Sequence, residues 1–187
     1  SLYLGRMRLD EWGPLLVCNL LMFLVGFLDD LKPLGAKVKL MGQIGVSLIL
    51  YSLGVSIDIL SNPFGEGAII LGWWSLPLTL FWLVAIPNII NLIDGMDGLA
   101  GGFGLFLSLT LAFVGYVSFS PEVMLISIIM AGALSGFLFF NFPPAKIFLG
   151  DGGAYLIGFF VASVSLKSSN KGSVIAALLV IVIALGV

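Results

Sequence analysis

Acidic and amide side chains gather at three places in this chain, each at the end of an apolar run. The first is Asp29 and Asp30, closing Val25-Gly-Phe-Leu-Asp-Asp30. Two adjacent carboxylates repel each other, so a divalent cation or lysines such as Lys32, Lys37 and Lys39 must offset them. The second is Asn88, Asn91, Asp94 and Asp97, recurring every third residue. Residues three apart are neighbours on a helix, so the two asparagines would line the end of a span, with the carboxylates at its mouth. Gly95 and Gly98 let the backbone turn there. The third is Asp151, set between glycines before another apolar run, where a fixed backbone could aim a carboxylate at a metal. The glycine N–H groups could face phosphate oxygens. Carboxylates with few bases suit a hard cation such as Mg²⁺. A lipid-embedded Mg²⁺ site suggests phosphoryl transfer. The rival chemistry is ion passage through a transporter or channel. Against it, the acids sit at one face rather than mid-membrane, and no inverted repeat is visible.

The elements that must position these residues are membrane helices. The 187 residues are 60% hydrophobic and 10% charged, with a mean hydropathy of +1.19. A soluble domain carries about 25% charged residues and could not hide this much apolar surface. Net charge is −2 without a basic field, which gives nucleic-acid binding no support. The lone Cys18 cannot form an intrachain disulfide. About 20 apolar residues cross the hydrocarbon core. Seven stretches qualify: Trp12–Leu28, Leu40–Ile57, Ser75–Leu92, Leu99–Phe119, Val123–Phe140, Ala154–Leu166 with its preceding turn, and Gly172 to the end. None alternates as a barrel strand would, so the fold expected is an all-α polytopic bundle, a single membrane-embedded domain over 1–187. Between the second and third stretches, Asn62-Pro63 and Gly65 signal a turn, and Ile69–Leu71 could pair back as a short hairpin. Trp73 and Trp74 then fall in an interfacial belt. The small-residue spacings Gly98…Gly102 and Gly132…Gly136 read as packing devices, for the bundle or for a homodimer.

Alternating spans place Asp29, Asp30, Asp94, Asp97 and Asp151 on one face, half of the ten acidic residues. The basic residues divide four against four. The dense Lys32–Lys39 loop carries most weight and puts the acidic face in the cytoplasm, with the hairpin periplasmic.

These stretches resemble the polyprenyl-phosphate N-acetylhexosamine-1-phosphate transferases, of glycosyltransferase family 4 type. The matching segments are Gly26-Phe-Leu-Asp-Asp30, Lys39-Leu-Met-Gly-Gln43, Pro77-Leu-Thr-Leu-Phe-Trp82, Asn88-Ile-Ile-Asn-Leu-Ile-Asp-Gly-Met-Asp-Gly-Leu-Ala-Gly101 and Asn141-Phe-Pro-Pro-Ala-Lys-Ile-Phe-Leu-Gly-Asp-Gly-Gly153. The resemblance implies a multi-pass plasma-membrane enzyme using Mg²⁺ or Mn²⁺. It would move a sugar-1-phosphate from a UDP-amino sugar to undecaprenyl phosphate and release UMP, a step that opens cell-wall or related glycan synthesis. Asp151 then resembles the metal-binding aspartate, and Asp29 and Asp30 the pair at the attacking phosphate. Asn91, Asp94 and Asp97 resemble the residues lining the nucleotide-sugar and metal pocket, Asp94 and Asp97 as catalytic residues beside Asp29 and Asp30, with Asn88 on the substrate side and Lys39 resembling a lysine beside phosphates. The compact segment Asp30–Gln43 looks more like the GlcNAc-1-phosphate transferases than the phospho-N-acetylmuramoyl-pentapeptide transferases. The family usually has serine where Ala154 stands. Family members also carry earlier helices and a later His-rich part, so the chain, which has no histidine, is expected to be a fragment.

Overall fold

The computed structural model describes residues 9–61 and 67–168. Among these residues six helices follow one another: α1 (Leu9–Leu31), α2 (Ala36–Ser52), α3 (Ser75–Ile93), α4 (Leu99–Val117), α5 (Pro121–Asn141) and α6 (Gly150–Lys167). Between α2 and α3, β1 (Ile59–Ser61) and β2 (Ala68–Ile70) pair antiparallel, Ile59 opposite Ile70. A 3-10 turn, Gly72–Trp74, leads into α3 and leaves Trp73 and Trp74 exposed.

The chain is an all-α membrane bundle. Among the described residues, four segments are long and apolar enough to cross a bilayer: Trp12–Leu31, Gly72–Ile93, Leu99–Val117 and Pro121–Asn141. The seven crossings expected are not reached among the described residues. Helices α2 and α6 occupy two of the expected stretches, and the last, from Gly172 on, lies outside the described residues.

The helix α6 is the axis. From Ala154 to Leu166 nearly every side chain is buried, polar Ser163 and Ser165 included. Helices α1, α3 and α4 pack around it. The surrounding helices show the reverse of a soluble pattern, with a buried stripe inward and apolar residues outward toward lipid. On α1, Leu15, Cys18, Asn19 and Met22 face in, while Leu16, Val17, Leu20 and Leu24 face out. Without a hydrophobic drive between helices in lipid, close packing and hydrogen bonds must hold the bundle. Both are present. Asn19 Nδ2 donates to Ser163 Oγ at 3.3 Å, and Trp82 Nε1 donates to the Ala162 carbonyl at 3.2 Å.

Small residues set the closest approaches, at positions other than those the spacing suggested. Gly102, Gly132 and Gly136 face open space. The contacts fall instead on Gly101, Gly104 and Gly115 of α4, and on Gly158 of α6, where an added Cβ would collide with the Pro87 backbone. Spacing of four names a face but not the neighbour it meets.

One boundary differs in kind. The apolar stretch Leu40–Ile57 reads as a single span, yet α2 starts earlier, at Ala36, and stops at Ser52. Gly54, at φ +90, turns the chain out of the helix. Ile57 lies beyond the helix, its N–H donating to Thr79 Oγ1 at 2.9 Å.

Candidate active site

All three polar clusters meet at one end of the bundle. Asp29 and Asp30 end α1, Lys39 lies in the first turns of α2, Asn91 is near the end of α3, and Asp151 is in the first turn of α6. Asp58, the hydrogen-bond acceptor for Ser56 and Ser75, marks the opposite end.

Asp151 is the hub. Lys39 Nζ lies 2.7 Å from Asp151 Oδ2 and 3.0 Å from Asp29 Oδ2. Asn91 Nδ2 donates to Asp151 Oδ1 at 2.7 Å. One oxygen of Asp151 thus receives an ammonium and the other an amide. Asp29 Oδ1 also accepts the Leu34 N–H at 2.8 Å, which folds the α1–α2 connection back onto the carboxylate.

Asp30 does different work. Its two oxygens accept the N–H groups of Asp151 and Gly152, both at 2.9 Å. Those are open donors at the start of α6, where a negative charge is favoured. Of the glycine N–H groups expected to face phosphate, that of Gly152 is met instead by a carboxylate of the chain itself. The neighbouring glycines have steric reasons. A Cβ on Gly26 would come within 2.5 Å of the Asp151 carbonyl group. One on Gly150, at φ +69, would come within 2.8 Å of the Asp30 carboxylate. The motifs at 26–30 and 150–153 are two halves of one joint.

Asn88 and Asn91 lie in the last turns of α3, while Asp94 and Asp97 fall beyond its end, so the stripe of four is shared between helix and turn. Helix α3 ends at Ile93, Asp94 is its C-cap, and Gly98 at φ +78 starts α4. The Asp94 carboxyl is pushed up to about 6, first by burial, then by the charges of Asp151 and Asp30. It belongs electrostatically to the cluster. Asp97 Oδ2 accepts the Ala145 N–H at 3.0 Å, tying the α3–α4 turn to the α5–α6 loop. Asn88 faces Gln43 on α2, with Asn88 Nδ2 donating to Gln43 Oε1 at 2.6 Å.

Two residues outside the sequence-based set belong here. Buried Asn141 accepts the Gly98 N–H at 3.0 Å and donates to the Ile147 carbonyl at 2.8 Å, a second tie between those loops. A lone amide closing the apolar α5 is a signal that could have found it. Gln43, buried inside α2, carries the same signal.

Among the described residues no three acidic, histidine or cysteine side chains close on a common point. The cluster is one of paired oxygens around an ammonium.

The glycosyl transferase family 4 model matches residues 12–169. The chain is 38% identical over 167 residues to a probable undecaprenyl-phosphate N-acetylglucosaminyl 1-phosphate transferase of Bacillus subtilis, covering 89% of this chain and 47% of that one. It is 34% identical over 174 residues to a phospho-N-acetylmuramoyl-pentapeptide-transferase of Listeria innocua, covering 87% and 53%. It is 39% identical over 166 residues to a decaprenyl-phosphate N-acetylglucosaminephosphotransferase of Mycobacterium tuberculosis, covering 83% and 41%. The chain spans about half the length of the curated relatives it matches. These likenesses do not divide cleanly between the two kinds of transferase. With the family match running through all three polar clusters and the helices that bring them together, the chain belongs to glycosyl transferase family 4.

Proposed function

We propose that this chain carries the acidic half of a membrane phosphotransferase site. The reaction passes a sugar-1-phosphate from a UDP-sugar to a polyprenyl phosphate. An oxygen of the lipid phosphate attacks the sugar-linked phosphorus, and the bond to the bridging oxygen breaks. UMP leaves with that oxygen, and the lipid keeps a diphosphate-linked sugar. The observation that carries the reading is the joining of Asp29, Lys39, Asn91 and Asp151 in one hydrogen-bonded cluster at the end of the bundle.

The donor set fits a divalent cation. Every candidate ligand is an oxygen, and Asp94 is held protonated up to about pH 6 by burial and by the Asp151 and Asp30 charges, a field that a cation would relieve. Asp151 is the residue proposed to hold Mg²⁺ or Mn²⁺, with Asp94 beside it. When bound, the metal supplies charge neutralisation at the diphosphate.

The chain's own groups take the remaining roles. Lys39 offers a point charge to a phosphate, and Asn91 offers an amide at the same carboxylate. Asn88 supports this substrate side from one turn below. Asp29 stands nearest the attacking phosphate, and Asp30 holds the first turn of α6 in place. A lipid phosphate is already largely ionised at neutral pH, so neither aspartate needs to be a strong base. Asp94 and Asp97 complete the nucleotide-sugar side from the α3–α4 turn. The site faces the cytoplasm of a plasma membrane.

For the donor sugar we propose UDP-GlcNAc, and for the acceptor undecaprenyl phosphate, on the compact Asp30–Gln43 segment and the likeness to the Bacillus protein. The Listeria match favours UDP-MurNAc-pentapeptide as the second reading. The test is UMP release by the intact protein in detergent, with undecaprenyl phosphate and Mg²⁺, comparing these two donors. Release from UDP-GlcNAc alone is expected. Release from the pentapeptide donor alone keeps the chemistry and overturns the sugar. No release from any UDP-sugar by folded protein overturns the transferase reading.

A further inference from the structure

The Asp151 cluster rests on an amide pair one helical turn beneath it. Gln43 follows Lys39 by four residues on α2, and Asn88 precedes Asn91 by three on α3. At these spacings each pair shares a helix face. Asn88 Nδ2 donates to Gln43 Oε1 at 2.6 Å and to the Val84 carbonyl at 2.7 Å, so both its protons are committed. Gln43 Nε2 returns a longer bond to Asn88 Oδ1 at 3.4 Å. Gln43 is 1% exposed. Two amides meeting between apolar helices pair in only a narrow range of relative shift and rotation, since sliding either helix leaves buried polar atoms unpaired.

Above this pair, Lys39 and Asn91 reach opposite oxygens of the same carboxylate, each at 2.7 Å. Gln43, Lys39, Asp151, Asn91 and Asn88 thus form a closed ring across α2, α6 and α3. We infer that Gln43 is a positioning residue of the active site. Through Asn88 it holds α2 and α3 in the register at which Lys39 and Asn91 each take one oxygen of Asp151. It has no contact with substrate and sets how the carboxylate is presented. This inference rests on the transferase reading above.

The test uses the intact protein in detergent and four forms: wild type, Gln43→Met, Gln43→Asn, and the double exchange Gln43→Asn with Asn88→Gln. Methionine keeps the length and removes the hydrogen bonds. The double exchange keeps the summed reach of the two side chains. Turnover is read as UMP release, and Mn²⁺ binding is read separately by electron paramagnetic resonance without substrate. Gln43→Met is expected to lower kcat about tenfold and weaken Mn²⁺ binding about tenfold, the scale of one lost buried hydrogen bond. KM for the UDP-sugar should move less than about threefold. Gln43→Asn should behave alike, and the double exchange should regain most of the lost Mn²⁺ affinity, which is read without substrate and so apart from the role of Asn88 on the substrate side. Wild-type kcat and Mn²⁺ affinity in folded Gln43→Met overturn the inference. So does an exchange that restores only the melting midpoint. If Gln43→Met does not fold, Gln43→Asn against the double exchange decides by the same criteria. If wild type releases no UMP from any UDP-sugar, the transferase reading falls, and the Mn²⁺ series alone decides the role of Gln43.

Discussion

At the scale of the residue, adjacent carboxylates have separate duties. Asp151 receives Lys39 and Asn91 on its two oxygens, whereas Asp30 spends both oxygens on backbone N–H groups. Asp151→Asn is therefore expected to cut Mg²⁺-dependent UMP release by about a hundredfold or more while the protein stays folded and extractable. Retained turnover would remove Asp151 from the metal role. Asp94 offers a test by pH. Its carboxyl binds a proton more tightly folded than unfolded, at about 6 against 3.8. Stability from this group is then whole below pH 3.8 and lost as pH rises through about 6. In the presence of a chelator, Asp94→Asn should raise the melting midpoint by a few degrees at pH 8 and leave it unchanged at acid pH. Saturating Mg²⁺ should shrink the gain. An equal gain at both pH values would mean that the charge is not the cause. Asn88 and Asn91 were legible as a pair because their spacing matches a helix face, and Gly95 and Gly98 marked the turn that carries Asp94 and Asp97. The task of Asp30 was not, because its partners lie 121 and 122 residues away and nothing local announces them.

At the scale of the element, glycines decide which helices touch. Gly26 and Gly158 admit a neighbouring backbone, whereas Gly136 faces open space. Gly158→Ala should cost about 1–3 kcal/mol by overpacking α6 against α3. Gly26→Ala should cost a similar amount and also lower turnover, because it drives α1 from the peptide that carries Asp151. Gly136→Ala should be neutral or slightly stabilising, as alanine favours helix. Thermal melts with UMP assays on the three variants separate these effects. Equal losses in all three would refute the assignment of contacts. Five of the expected stretches lie within a few residues of their helices because apolar length governs them. The end of α2 did not follow that rule, since the apolar residues continue past Gly54, where the chain has already left the helix.

At the scale of the molecule, the charged cluster and the exposed tryptophans lie at opposite ends of one bundle. Half of the acidic residues falling on one face was readable from alternation alone, because each crossing reverses the side. Cysteine labelling tests the orientation. Cys18 is fully buried, so the native thiol should stay silent. Met96→Cys, in the exposed α3–α4 turn, should react with an impermeant maleimide only from the cytoplasmic side, and Trp73→Cys only from the other. The reverse pattern would invert the bundle.

The burial of α6 also has a consequence for the order of biosynthesis. Its first turn holds Asp151, and its walls are α1, α3 and α4, which leave the ribosome earlier. This helix does not meet the length-and-hydropathy standard that the four crossing segments meet. Until it arrives, Lys39 has Asp29 as partner but not Asp151, and the carboxylate of Asp30 has no helix to cap. The polar end of the described bundle is therefore assembled only once α6 has packed against the helices that precede it.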